Sequence, residues 1–211
     1  MVPSAASDAP SPRPARRRRI WLPRALLEAS LIVLSVLLAL VLNAWREDRQ
    51  QAERVEVALQ SVRAELRENL QSMERARANH RAMQDALKTY AARGESPPKS
   101  IYLGGIFSPA LVHSAAWESA RETGATATFP YELMLALSRL YGEQARYQAL
   151  GATLVEDLMV QIRRDGVEVV LRDSSASFIP LQEDFANREQ RLAEAYERAL
   201  DELETQAAAA R

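Results

Sequence analysis

His80 and His113 are the two imidazoles among the 211 residues, and cysteine is absent. Without Cys there is no disulfide, no thiolate nucleophile and no thiolate metal site. A carboxylate-bridged metal pair in a helical bundle draws its histidines from Glu-x-x-His motifs, but the residues three before them are Arg77 and Ala110. Zinc-protease spacing, two histidines four apart, is also missing. A serine nucleophile needs a histidine base and an orienting acid, and no local motif gathers them. Gly104-Gly105 lacks the flanking pattern of a phosphate loop. The carboxylate pairs Glu156-Asp157 and Glu183-Asp184 have the look of solvated helix faces. His113 lies one turn before Trp117, so ring packing along one helix face is its expected use. The expectation is a chain with no catalytic residue, no metal ligand and no cofactor, with an envelope hydrolase the weakest alternative.

Residues with a different kind of work stand out instead. Leu26–Leu42 reads LLEASLIVLSVLLALVL, with twelve of seventeen positions Leu, Ile or Val. On an insertion scale these contribute about −4 to −7 kcal/mol, and Glu28 near one end opposes them by at most about 3 kcal/mol. Arg24, four residues earlier, offers Glu28 a partner. A span needs roughly 20 residues, so a transmembrane anchor is expected over 20–45, with Trp45 as its interfacial end. Large aliphatics on nearly every face disfavour a buried helix of a soluble protein. At about 100° per residue, Glu28, Ser35 and Ala39 share one face. Ser35 and Ala39 make a small-xxx-small pair, so the three form a candidate transmembrane association face.

Charge sets the orientation. Before Trp45, six arginines stand against two carboxylates, +4; the rest carries 21 basic and 26 acidic residues, −5. Arg16–Arg19 precede the span, so the positive-inside rule keeps the N-terminus cytoplasmic and exports the remainder of the chain. The expected location is a bacterial inner membrane with a periplasmic C-terminal domain. An acidic domain has no basic footprint for nucleic acid. A cleaved signal peptide is the rival reading, but cleavage after Ala44 puts Leu42, and after Ala39 puts Leu37, where a small residue is required. Arg18-Arg19-Ile20-Trp21-Leu22 loosely fits a twin-arginine export signal.

The elements that position these residues read as all-α. Residues 1–19 are Pro-rich without apolar period, a disordered basic tail. From Arg24 to Arg93 there is no Gly, and Val55, Leu59, Val62, Leu66, Asn69, Met73, Ala76, His80, Met83, Leu87 and Tyr90 follow a heptad seam. A long juxtamembrane helix is expected over 46–93. Its seam fits an intermolecular coiled coil or the core stripe of a bundle helix, and Asn69, Ala76 and His80 favour the stripe. The remainder, 94–211, completes an antiparallel bundle of about four helices. Gly94–Ser108 is a loop, and Ser108-Pro109 starts a helix over about 109–123. Further helices follow over about 130–165 and 181–205, with 167–171 either strand or helix. Gly142 and Gly151 interrupt the first of these two, as close contacts or a kink. Trp117 is expected to plug the core and Gly124 to supply a left-handed helix terminus.

Two stretches resemble a bacterial family of short single-pass membrane proteins of unknown function. One is Leu27-Glu28 with the aliphatic run and Ala39-Leu40-Val41-Leu42-Asn43-Ala44-Trp45. The other is Ala116-Trp117-Glu118-Ser119-Ala120 with Thr123-Gly124, Leu137 and Leu140-Tyr141. The resemblance implies an anchor and a helical extramembrane domain, and it implies no activity. The functional expectation is an envelope interaction or scaffold protein that meets the lipid bilayer and binds itself or another envelope protein. The alternative is a periplasmic ligand-sensing bundle. Its short N-terminal tail carries no output domain, so sensing requires a partner subunit.

Overall fold

The computed structural model describes residues 21–173 and 175–209. The basic tail expected over 1–19 lies outside them, as do the pairing of Glu28 with the Arg24 side chain and the end of the alanine tail at Ala210. Among the described residues the fold is all-α, with five helices, and the chain divides into two compact units between Gln50 and Gln51.

The first unit holds the apolar start of helix α1 (Trp21–Arg93). Every residue from Leu26 to Gln50 is exposed. An 18-residue window has mean hydropathy 2.4 with none of it covered by the chain, so this helix is long and apolar enough to cross a membrane. Its two hydroxyls are satisfied locally: Ser30 donates to the Leu27 carbonyl at 3.0 Å and Ser35 to the Ile32 carbonyl at 2.8 Å. A polar side chain bonded to its own helix adds little demand for water. Where the run ends, the Arg49 guanidinium lies 5.2 Å from the centre of the Trp45 ring.

In the second unit the rest of α1 is followed by a 3-10 turn (Lys99–Tyr102) and α2 (Ala115–Glu122). After Gly124, which has φ +74°, comes another 3-10 turn, Ala125–Thr128. Helices α3 (Tyr131–Asp165), α4 (Val167–Asp173) and α5 (Ser175–Ala209) complete it. α3 has Glu132 in its first turn, Arg163 and Arg164 in its last, and Gly166 at φ +86° beyond it, which suits the helix dipole and frees the chain to turn.

Cross-links between helices give the directions. Glu65 and Asn69 of α1 meet Tyr141 and Gln144 of α3, so these two run the same way. Arg63, His80 and Gln84 of α1 meet Leu203, Glu189 and Glu183, so α5 runs opposite. The main core gathers Val62, Leu66, Met73, Trp117, Leu137, Phe185 and Tyr196 among others, and a second cluster joins Leu87, Tyr102, Ile106, Val170 and Phe178. The heptad seam of α1 is thus packed within its own chain from Val62 to Leu87.

Two boundaries differ from the sequence reading, and one left open is settled. The helix expected from Pro109 begins at Ala115, because the backbone of 110–113 is bonded to side chains rather than to itself. The helix expected from 181 begins at Ser175 and carries Pro180 inside it; burial of Phe178 in the second cluster holds the turn that the missing proline N–H weakens. Residues 167–171 are helical, within α4.

Candidate functional site: a clasped segment and the cavity beside it

Ile106–His113 is a non-helical stretch laid against the helices, with Ile106, Phe107, Ala110 and Val112 buried. Buried backbone outside a helix must find partners elsewhere, and here side chains supply them. Gln182 Nε2 donates to the Ile106 carbonyl at 2.6 Å, and Gln148 Nε2 to that of Val112 at 2.9 Å. The Ala110 N–H donates to the Tyr147 hydroxyl at 2.7 Å. Asn69 grips His113 at both ends, its Oδ1 accepting from the N–H and its Nδ2 donating to the carbonyl, each at 2.8 Å. That same carbonyl accepts from Gln144 Nε2 at 3.0 Å, while Gln144 Oε1 accepts from Tyr196 at 2.6 Å and Asn69 at 3.3 Å. Gly151 leaves room on α3, where an added Cβ would stand 3.2 Å from the Pro109 ring.

Two buried carboxylates complete the arrangement. Glu65 accepts the N–H groups of Ala116 at 2.8 Å and Trp117 at 3.4 Å, capping α2 from α1, and the Tyr141 hydroxyl at 2.7 Å. Glu189 is fully buried and accepts from Tyr147 at 2.6 Å while facing His80 Nδ1 at 2.8 Å. Burial raises the Tyr141, Tyr147 and Tyr196 hydroxyls above the ordinary tyrosine range. Hydrogen bonds to Glu65 and Glu189 add to this for the first two, and the charge of Glu65 adds for Tyr196. These hydroxyls therefore act as donors.

The direction of each bond around Glu189 can be followed. The Tyr147 oxygen already accepts from Ala110, so its hydrogen goes to Glu189 Oε1. His80 Nδ1 then presents its N–H to Oε2. The ring stacks on Phe107, with centroids 5.2 Å apart. Among the described residues, four buried side-chain atoms lack a hydrogen-bond partner: Arg63 Nε, His80 Nε2, Tyr102 Oη and Gln182 Oε1. His80 and Gln182 line one cavity of about 320 Å³, whose wall also includes Met83, Ala86, Ile101 and Ile106.

The residues singled out from sequence are placed differently from one another. Trp117 is buried and its ring stacks on Tyr141 at 5.3 Å and 2°. Gly124 is left-handed at the end of α2, and Trp45 is exposed beside Arg49. Glu28, Ser35 and Ala39 are exposed in the first unit, whereas the clasp belongs to the second. His113 does not pack on Trp117: its side chain is exposed, because its backbone is bound by Asn69 outside any helix. Among the described residues no group of three His, Asp or Glu gathers as a metal site. Glu65, Gln144, Tyr147, Gln182 and Glu189 carry no motif that singles them out in the sequence, although each occupies an apolar-face position in a three-four repeat. No family model, curated protein or solved structure matches the chain.

Proposed function

We propose that this chain is a single-pass interaction protein of the bacterial cell envelope. Its N-terminus is cytoplasmic, α1 crosses the inner membrane, and the helical domain binds a second copy of itself or another envelope protein in the periplasm. One observation carries the reading: an 18-residue window of mean hydropathy 2.4 of which the chain covers nothing. Lipid is the cover that matches it, since twelve aliphatic side chains favour insertion by about 4–7 kcal/mol. The arginine cluster at 16–19 supports the orientation. The resemblance to single-pass membrane proteins of unknown function agrees with it. Glu28, Ser35 and Ala39 form the surface through which the span meets another helix. Residues 94–211 complete a bundle that presents the partner-binding faces, and the proposal assigns binding rather than catalysis.

A membrane two-hybrid assay tests the association face. Ala39→Ile is expected to lower the signal for self-association or for the partner recovered by in-cell crosslinking. An unchanged signal against every such partner removes this face. The second reading, a ligand-sensing bundle acting through a partner subunit, is favoured by the cavity that His80 and Gln182 line.

A further inference from the structure

We propose that Trp45, Arg46 and Arg49 form a one-sided site for the phosphate of a membrane phospholipid, at the end of the apolar run of α1. The inference deepens the proposed function by naming the lipid chemistry that this end of the span meets, and it rests on the membrane reading of α1.

The run Leu26–Leu42 stops three residues before Trp45. A tryptophan in that position belongs at headgroup depth, with its ring against the chain ends and its N–H in the polar layer. Trp45 is 57 % exposed, which leaves its ring free to sit there. Arg49 lies one turn further on, about 6 Å along the axis. An arginine beyond a span ordinarily extends its head away from hydrocarbon, toward water. Here the guanidinium is drawn back instead, to 5.2 Å from the centre of the Trp45 ring. Glu53 stands at the i,i+4 spacing that suits an ion pair with Arg49, yet among the described residues Arg49 makes no ion pair. Held over the indole face, the cation stays at the depth of the lipid phosphates with its N–H donors uncommitted.

The four charges of Arg46–Arg49 sum to zero, but they are sorted around the helix. At about 100° per residue, Arg49 lies roughly 40° from Trp45, and Arg46 roughly 60° beyond Arg49. Glu47 is on the opposite face, where its Oε1 accepts from Asn43 Nδ2 at 2.6 Å. Asp48 falls roughly 60° from Trp45 on the side away from both arginines. Glu53 shares the arginine side but stands a further turn from the run. Two guanidinium groups beside one indole therefore meet the headgroup layer together. A phosphodiester suits them, because it is anionic and its two unesterified oxygens match the fork of arginine donors. A sugar headgroup offers no charge.

The full chain in dodecyl maltoside micelles, labelled with 5-fluorotryptophan, provides the test. Its three tryptophans give three 19F resonances, and Trp45→Phe assigns the one concerned. Palmitoyl-oleoyl phosphatidylglycerol should shift the Trp45 resonance saturably, whereas a galactosyl diacylglycerol with the same chains should not. Inorganic phosphate alone should leave it in place, because the acyl chains are what bring the phosphate to the ring. Arg49→Gln should weaken the phospholipid response about tenfold, the worth of one charge-assisted hydrogen bond. Glu47→Gln, on the opposite face, should leave it unchanged. An equal response to the sugar-headed lipid, no saturable shift with the phospholipid, saturation by inorganic phosphate, or a wild-type response in Arg49→Gln would each overturn the proposal. Failure here is separable from failure of the anchor, which is read by whether Leu37→Cys is shielded from a water-soluble maleimide in the bilayer.

Discussion

The two parts of α1 invert the usual relation between polarity and cover. From Leu26 to Leu42 its side chains are mostly aliphatic and all exposed. From Glu65 to Gln84 it buries Glu65, Asn69, His80 and Gln84. One helix therefore answers to two demands. The serines of the first part are served by their own backbone, which suits a solvent without hydrogen bonds. The second part must receive a stretch of non-helical backbone, and only polar side chains at core positions can do that.

Removing polarity from the two parts gives the largest contrast. Glu189→Ala leaves His80 Nδ1 and the Tyr147 hydroxyl buried without their acceptor and should destabilise the domain by about 3–5 kcal/mol. Ser30→Ala, a polar deletion in the first part, should stay within about 0.5 kcal/mol. Both are read from denaturant unfolding in detergent, and similar values for the two would erase the distinction. Trp117→Ala should also cost roughly 3–5 kcal/mol, since its buried ring stacks on Tyr141 beside the carboxylate that caps α2. An unchanged melting temperature contradicts that placement.

Alkaline pH probes the tyrosines. Tyr141, Tyr147 and Tyr196 titrate higher in the folded protein than the ordinary value of 10.0. Below about pH 10 both states keep these protons, so the full contribution is present. Above it the unfolded chain loses them first, the folded state binds more protons, and stability falls as pH rises. Melting curves between about pH 9 and 11 should show this decline, and Tyr196→Phe should flatten it; a wild-type slope in that variant would remove Tyr196 from the account. The smallest effect compares two glycines of α3. Gly142→Ala meets nothing within 4 Å and should stabilise by about 0.5–1 kcal/mol. Gly151→Ala should lose that gain against Pro109, at 3.2 Å from the new Cβ. Equal gains at both would show that the clasped segment is free to yield.

Sequence reading goes furthest where one period dominates. The aliphatic run, the helix over 131–165 and the seam of α1 are all visible as repeats. Gly124 and Gly166 mark turns that come from their φ freedom. Asn69, Ala76 and His80 are weak positions of that seam, and the structure gives the two polar ones a use. The same signal recurs in Gln144, between Leu140 and Tyr147, and in Glu189, between Phe185 and Leu192: a polar residue where the repeat asks for an apolar one. What one repeat does not disclose is the partner. Asn69 is paired with a backbone 44 residues away and His80 with a carboxylate 109 away. Ser108-Pro109 misleads for the same reason, because local capping chemistry is overridden by distant side chains that hold 110–113 out of a helix.

The central claim, that the apolar part of α1 lies in lipid with the domain across the membrane, is tested most directly by cysteine labelling. The natural chain has no cysteine, so each introduced thiol reports alone. In a Gram-negative host with a permeabilised outer membrane, Ala208→Cys should react with a membrane-impermeant maleimide while Leu37→Cys stays unreactive until the bilayer is dissolved. Labelling of Ala208→Cys only after lysis, or of Leu37→Cys in intact cells, would contradict it.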